Sequence, residues 1–340
     1  MVTIKDISRH CGVSPSTVSK ALNGYGDIGA ATAERIRQAA KELHYMPNSA
    51  ARQLKTNISH NIGLVFEDET QSGLTHEYFS RVLNSAKQEF ERRGYDITFI
   101  GTAFGGSFLE HCRYRKCDGI LIASVDFTKP GIIELVNSEF PVVTIDYAYD
   151  RHSCVMSDNT DGAFGLTRYL IGKGHRKIAF IHGEDTSVTR KRIEGFMRAC
   201  REAGIPAPES WLEPARYHDT KSSAEATERL MQRPESPTAI MYPDDYAYLG
   251  GRSMLEQMGL SIPDDVSVVG YDGIPLAQEI SPRLTTWFQD AETIGRESGR
   301  KLIETIENKK DAAAEELLVP GQLLEGESVQ EVKRDGSNAV

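Results

Sequence analysis

Three aspartates occupy the kind of position where α/β proteins keep their ligand-binding groups. Asp146 directly follows an apolar run at 142–145, Asp272 follows the run at 266–270 and Tyr271, and Asp244 follows 239–242 after Pro243. Ligands of open α/β sheets bind beyond the carboxyl ends of the strands, so these acids are candidate ligand-binding groups. An ionised carboxylate only accepts hydrogen bonds, which suits the hydroxyls of a neutral sugar or polyol better than an anion. The same three could act as acid and base in a hydrolase. Against an enzyme, the chain has no G-x-x-x-x-G-K-[ST], no G-x-G-x-x-G opening a helix and no G-x-S-x-G. Gly172-Lys173-Gly174-His175 lacks phosphate-loop spacing.

A second chemistry is written in the first 22 residues. Thr3 is placed to cap a helix with Asp6 three residues on, a capping-box pattern, and Ile7 and Cys11 give that helix one apolar face. Gly12 breaks it. Ser14 then suits an N-cap, Pro15 the first helical position, and Val13 and Val18 a hydrophobic staple, while Asn23-Gly24 stops the helix. Val18, Ala21 and Leu22 turn inward and leave Pro15, Ser16, Ser19 and Lys20 outward. Two short helices about a glycine turn, the second with small polar residues at its exposed start, is helix-turn-helix geometry; an ordinary helical hairpin is the alternative.

Periodicity shows which elements must hold these groups. A third helix is expected over 29–43, with Ile36, Ala40 and Leu43 on one face, ended by Tyr45-Met46-Pro47. The stretch 48–55 reads as two helical turns, marginal alone, with Leu54 its one large apolar residue. It is either a flexible linker or a hinge helix that orders on DNA. From Ile62 onward, strands at 62–66, 96–100, 119–123, 142–145, 155–157, 178–182, 239–242 and 266–270 are interleaved with helices at 76–93, 131–137, 161–171, 192–203, 222–232 and 246–258. Continuous apolar strands between helices imply parallel sheets covered on both faces, here in two blocks of similar length. Residues 325–340 are polar and expected to fray.

The 340 residues carry a net charge of −10, unevenly spread. Residues 1–60 hold eight Lys/Arg against four Asp/Glu, a net +4 that leaves −14 for the remainder. A small basic end on an acidic body suits phosphate contact at that end. The five cysteines have no paired ligand spacing and read as free thiols of a reducing cytoplasm, so no metal or cofactor is expected. No secretory signal or membrane-length apolar run is apparent.

The ordered motifs resemble the LacI/GalR family of bacterial transcription regulators from Thr3 to about Ser328. Thr3-Ile4-Lys5-Asp6-Ile7 opens the match, and Val13-Ser14 with Thr17-Val18-Ser19-Lys20-Ala21-Leu22-Asn23 fits the family's V-S-x-x-T-V-S-R-x-L-N. Leu43-His44-Tyr45-Met46-Pro47-Asn48 and Ala51-Arg52-Gln53-Leu54 follow. Gly174-His175-Arg176-Lys177-Ile178-Ala179, Arg192-Ile193-Glu194-Gly195-Phe196, Val268-Val269-Gly270-Tyr271-Asp272 and Leu318-Val319-Pro320 extend it through the body. The chain departs from the pattern at Lys20 (often Arg), Ala33 (often basic), Gly29 (usually Ser) and Tyr242-Pro243-Asp244-Asp245 (usually apolar-Asn-Asp).

This resemblance implies an α plus α/β fold: a helix-turn-helix head at 1–47, a hinge at 48–60, and a periplasmic-binding-protein-like body at 61–325. The body would divide into an N-subdomain near 61–160 plus 290–320 and a C-subdomain near 161–289, with a tail at 326–340. The resemblance implies that Pro15, Ser16 and Lys20 face base edges, that Thr17 and Ser19 hold phosphates, and that Thr3, Asn23, Arg52 and Lys55 complete the DNA-binding set. Leu54 would wedge the minor groove between two hinge helices. In the cleft it adds Arg192 to Asp146, Asp244 and Asp272, with Tyr78, Ser124, Asp219 and Gln289 as further candidates that could equally be structural. Asp158 and Asp161 read as helix caps. The implied activity is that of a cytoplasmic, nucleoid-associated repressor of carbohydrate genes. It would bind double-stranded operator DNA as a homodimer and be switched by a small molecule, a sugar. A purine, a phosphorylated sugar or a protein corepressor are the alternative effectors.

Overall fold

The computed structural model describes residues 2–46, 58–67, 73–103, 106–206, 209–308 and 314–332. They belong to two compact units, Met1–Ser59 and His60–Val340. The first is built from helices α1 (Ile4–Cys11), α2 (Pro15–Leu22) and α3 (Ala30–Glu42). The Asp6 carboxylate accepts the Thr3 amide at 2.9 Å and the Thr3 hydroxyl at 2.7 Å, closing the start of α1. Gly12 ends α1 at φ +62°, a left-handed turn that a side chain would strain. The Ser14 hydroxyl accepts the Thr17 amide at 3.1 Å. Ile7, Val18 and Ile36, all fully buried, join the three helices, with Val13, Leu22 and Leu43 packed around them.

The second unit holds two six-stranded sheets. The first lobe contains β1 (Asn61–Phe66), β2 (Asp96–Ile100), β3 (Gly119–Ala123), β4 (Val142–Ile145) and β5 (Ser153–Ser157). Helices α4 (Glu77–Arg92), α5 (Phe108–Arg115) and α6 (Pro130–Val136) alternate with them. The second lobe continues with α7 (Asn159–Gly172), β6 (Ile178–His182), α8 (Ser187–Glu202), β7 (Leu212–Pro214), α9 (Thr220–Met231) and β8 (Ala239–Met241). It ends with α10 (Asp245–Gln257), β9 (Ser267–Asp272), α11 (Pro275–Glu279) and β10 (Thr285–Phe288). Helix α12 (Ala291–Glu307) and β11 (Glu316–Val319) return to the first lobe, and β12 (Gln322–Leu324) goes back to the second. The strand orders, β11-β5-β4-β3-β1-β2 and β12-β10-β9-β8-β6-β7, are the same pattern twice. The edges differ, since β11 runs parallel to β5 and β12 antiparallel to β10. Each sheet is buried on both faces by its own apolar cores, which is why its strands read as unbroken apolar runs.

The chain therefore crosses between lobes three times, and the crossings lie together. The Asp158 amide donates to the Val319 carbonyl at 3.0 Å. Gly321 lies so close to the Phe288 carbonyl and the Trp287 ring that a Cβ would not fit. Helix α12 reaches α4 through Gly295, where an added Cβ would fall 2.0 Å from the Val82 carbonyl.

One expectation is corrected here. The segment expected to fray is packed as far as residue 332. Ser328 is fully buried; its hydroxyl accepts the Thr285 amide at 2.9 Å and donates to the Val268 carbonyl at 2.7 Å. The Val332 amide donates to the Lys173 carbonyl at 2.8 Å. The segment is held by these hydrogen bonds together with Val329, which packs on a core of the second lobe, so its largely polar composition concealed its order.

Candidate functional site

Three predicted cleft residues sit at strand ends in left-handed backbone. Ser124 follows β3 at φ +49°, Asp146 follows β4 at φ +68°, and Asp272 ends β9 at φ +104°. Non-glycine residues in that region carry strain that folds retain chiefly at functional sites. Here it turns each chain sharply off its sheet, into a cavity of about 420 Å³ lined from both lobes.

Asp146, Arg192, Asp244, Asp272, Tyr78, Ser124 and Gln289 all line that cavity. Arg192 sits inside α8, which starts at Ser187, a turn earlier than the expected 192. It is buried, donates to Asn159 Oδ1 and the Pro243 carbonyl at 2.8 Å each, and lies 3.5 Å from the centroid of the Tyr271 ring. Asp272 accepts from Gln289 Nε2 at 2.6 Å. Asp244 accepts the Ala247 and His218 amides at 2.7 Å each, so it caps α10 as well as facing the cavity. Asp219 is a correction. Its carboxylate accepts the Lys221 and Ser222 amides at 2.9 and 3.1 Å, capping α9, and it does not line the cavity. Asp158 caps α7 through the Asp161 amide, and Asp161 lies one turn into that helix.

On the head, Pro15, Ser16, Lys20, Asn23 and Thr3 are exposed, while Thr17 and Ser19 are half-buried. Lys20 is ion-paired with Asp27. Asn23 Nδ2 donates to the Ser19 carbonyl at 2.6 Å, tying off the end of α2. Arg52, Leu54 and Lys55, with the hinge expected around them, lie outside the described residues.

Comparison with known proteins gives this arrangement its context. Residues 3–48 match the model of the bacterial regulatory proteins of the lacI family, and residues 167–329 match a periplasmic binding protein-like domain. The HTH-type transcriptional repressor PurR of Vibrio vulnificus (strain CMCP6) is 33% identical over 321 residues, covering 91% of this chain and 93% of the relative. The chain belongs to the LacI family. Two solved structures share its fold. The transcriptional regulator CelR in complex with cellobiose has a TM-score of 0.71 at 26% identity, covering 96% of this chain and all of that one. The Lac repressor dimer bound to operator and the anti-inducer ONPF has a TM-score of 0.80 at 23% identity, covering 97% of this chain and 99% of that one. This LacI-family protein is a DNA-binding transcriptional regulator, with a small-molecule effector site in its body. The families it matches are regulators and binding proteins rather than enzymes. Among the described residues no helix is long and apolar enough to cross a membrane.

The regulator's cleft is acidic. Glu67, Asp126, Glu184 and Asp185 line it besides the three predicted aspartates, against Arg190 and Arg192. Arg190 is committed to Asp185 at 2.8 Å. Burial pushes the Asp146 carboxyl up to about 6, with Arg192 and Lys191 pulling the other way. Burial also raises Asp272, and the neighbouring Asp244 raises it further. Asp245, just behind the wall, is pushed up to about 8 by burial, although Thr286 Oγ1 donates to it at 2.6 Å and the Ile274 amide at 3.0 Å. The Asp146 Oδ1 and the Tyr78 hydroxyl are shielded from solvent and have no hydrogen-bond partner among the described residues. Such atoms are costly unless something completes them.

Sequence reasoning missed the rings. His76 in the first lobe stacks on His218 in the second at 4.2 Å, and His218 stacks on Tyr246 at 4.0 Å. Phe127 and Tyr147, both lining the cavity, stack at 4.8 Å and 10°. Tyr147 is the residue after Asp146, and Phe127 lies three past Ser124, so reading a few residues beyond each strand end would have found them.

Proposed function

We propose that this regulator is a repressor whose effector is a neutral sugar held in the cleft. It acts in the cytoplasm on nucleoid DNA, binding a pseudo-palindromic operator as a homodimer. The sugar reading rests on the balance of acceptors and donors in the cavity. Among the described residues, Asp146, Asp244 and Asp272 share the cavity with one cation that has no carboxylate partner, Arg192, and both Asp146 Oδ1 and Tyr78 Oη lack a hydrogen-bond partner. A sugar hydroxyl donates to the first and accepts from the second. So many carboxylates oppose a phosphorylated sugar. The cellobiose complex of the similar regulator CelR supports the same class. A purine is the second reading, favoured by the flat His76–His218 stack that bridges the lobes. Calorimetric titration with mono- and disaccharides and, separately, with purine bases decides between them: saccharide binding is expected, and binding of a purine alone overturns the sugar.

On the DNA, Pro15, Ser16 and Lys20 read bases, Lys20 exchanging Asp27 for guanine O6/N7, while Thr3, Thr17, Ser19 and Asn23 hold the backbone. Residues 48–60 link the head to the body, with Arg52 and Lys55 on phosphates and Leu54 in the minor groove. Lys20→Ala should relax sequence preference at one base pair. Leu54→Ala should weaken specific binding far more than non-specific binding, and equal loss would remove the wedge role. The effector switches the protein only to the extent that it binds one lobe arrangement better than another.

A further inference from the structure

A second chemistry lies at the opposite end of the first sheet, where β1 and β3 begin. Cys112 is in the last turn of α5, and Cys117 stands two residues before β3. Lys116 between them takes the left-handed conformation at φ +52°, and the Cys117 amide donates to the Cys112 carbonyl at 3.0 Å. This way of ending a helix brings the two side chains to one side. Their sulfurs meet over Gly63 of β1, where an added Cβ would stand 3.1 Å from Cys117 Sγ and 3.6 Å from Cys112 Sγ. The two thiols are hydrogen-bonded to each other, and that bond together with burial holds the proton on Cys112 and pushes its pKa up. An apolar pair would close the helix equally well, but here an amide is aimed at one of the sulfurs. Asn61 Oδ1 accepts from Thr98 Oγ1 at 2.9 Å, which turns Nδ2 the other way, toward the Arg115 carbonyl at 3.1 Å and Cys117 Sγ at 3.7 Å. Cys117 thus receives donors from two sides, the setting that favours a thiolate. It is also the sulfur within reach of a small solute, being 6% exposed where Cys112 is fully buried. Cys11, Cys154 and Cys200 are buried in other elements, α1, β5 and α8. The pair adjoins the point where the chain enters the body. The Asp118 carboxylate, next to Cys117, accepts the His60 amide at 2.6 Å, and the Asp118 amide donates to the Asn61 carbonyl at 2.8 Å. A disulfide draws its sulfurs from contact to about 2.0 Å, so the turn that carries Asp118 has to shift.

We propose that Cys112 and Cys117 are a peroxide-responsive pair whose disulfide loosens the body's hold on His60 and so weakens specific DNA binding. The Cys117 thiolate attacks one oxygen of hydrogen peroxide. The O–O bond breaks, water leaves, and Cys117 becomes a sulfenic acid. The Cys112 sulfur then attacks the Cys117 sulfur. The S–S bond forms, the S–O bond breaks, and the hydroxyl leaves with the Cys112 proton as a second water. Two thiols are oxidised to one disulfide, and the peroxide is reduced to water.

The test treats the reduced full-length protein with hydrogen peroxide, counts free thiols in denaturant and maps the bridge by peptide mass spectrometry. Two of the five thiols should disappear at a peroxide concentration that leaves Cys11, Cys154 and Cys200 reduced, and dithiothreitol should restore them. Cys112→Ser should stop at a sulfenic acid on Cys117 that dimedone traps, and Cys117→Ser should give neither product. A thermal melt establishes that each variant is folded, and the alanine variants serve where a serine variant is not. In the oxidised wild type, the peptide carrying the His60 amide should exchange hydrogen for deuterium about tenfold faster. A duplex selected from random sequences by the reduced protein should bind the oxidised protein about fivefold more weakly or worse, while an unselected duplex binds both alike. The proposal is overturned if all five thiols survive, if the bridge joins other cysteines, or if Cys11, Cys154 and Cys200 are consumed as fast. It is overturned equally if the oxidised protein keeps slow exchange at His60 or an undiminished hold on the selected duplex.

Discussion

The two lobes are the same topology used for different work. In the second, the polar groups facing the cleft are already fixed. Arg192 is tied to Asn159 and Pro243, Asp244 to two backbone amides, and Asp272 to Gln289. In the first, among the described residues, the Tyr78 hydroxyl and one oxygen of Asp146 have no hydrogen-bond partner, and the rings of Phe79, Phe127 and Tyr147 stand beside them. A preorganised polar wall costs little to engage, whereas a wall with unfilled bonds gains most when a ligand completes it.

That division of labour can be broken from the second lobe with the largest effect. Arg192→Met removes the one cleft cation that, among the described residues, has no carboxylate partner, and leaves the Asn159 and Pro243 acceptors bare. Effector affinity should fall more than about 100-fold, or roughly 3 kcal/mol, in a titration, with a lower melting temperature. Asp146→Asn in the first lobe should cost about tenfold, and its pH profile is the sharper readout. An ionised Asp146 accepts the ligand hydroxyl, and protonation removes that acceptor. Wild-type affinity should therefore decline as pH falls below about 6 and level off near the affinity of the asparagine variant, in which this pH dependence is lost. Asp245 separates stability from binding. Its folded carboxyl is raised to about 8 against an ordinary 3.8, so between those values the folded chain holds a proton that the unfolded chain has released. Its contribution to stability is therefore highest below pH 4, declines as pH rises, and reaches its full cost above 8. Asp245→Asn should flatten the melting temperature between pH 6 and 9. The smallest effect belongs to Asp219→Ala, which removes the α9 cap. It should cost about 1 kcal/mol in chemical denaturation and leave effector affinity within twofold.

How much of this was legible in the sequence follows from how each part is held. Strands β3, β4 and β6 are where the apolar runs lie, residue for residue, because burial on both faces admits little else. Asp146 and Asp272 were legible as acids at the ends of such runs. Asp219 misled because a carboxylate placed two and three residues before amide donors is a cap signal as much as a site signal, and the cap won. Helix α12 was not read as a helix, although Ala291, Ile294, Leu302, Ile303 and Ile306 give it a buried face; Gly295, Ser298 and Gly299 break that apolar stripe where the helix meets α4. The short edge strands β11 and β12 exist only through their pairing partners. The ring stacks join residues far apart in the chain, His76 with His218 and Phe127 with Tyr147, which periodicity cannot register.

The three adjacent crossings between lobes have a mechanical consequence. A single strand would leave one lobe free to slide, twist and swing against the other. Three tethers, bonded to one another at Asp158 and Val319 and pressed together at Gly321, resist sliding and twisting and permit chiefly one rotation. The body then behaves as a gauge with one needle. All chemical detail of a bound molecule is reduced to an opening angle, and two unrelated compounds that set the same angle would be the same message.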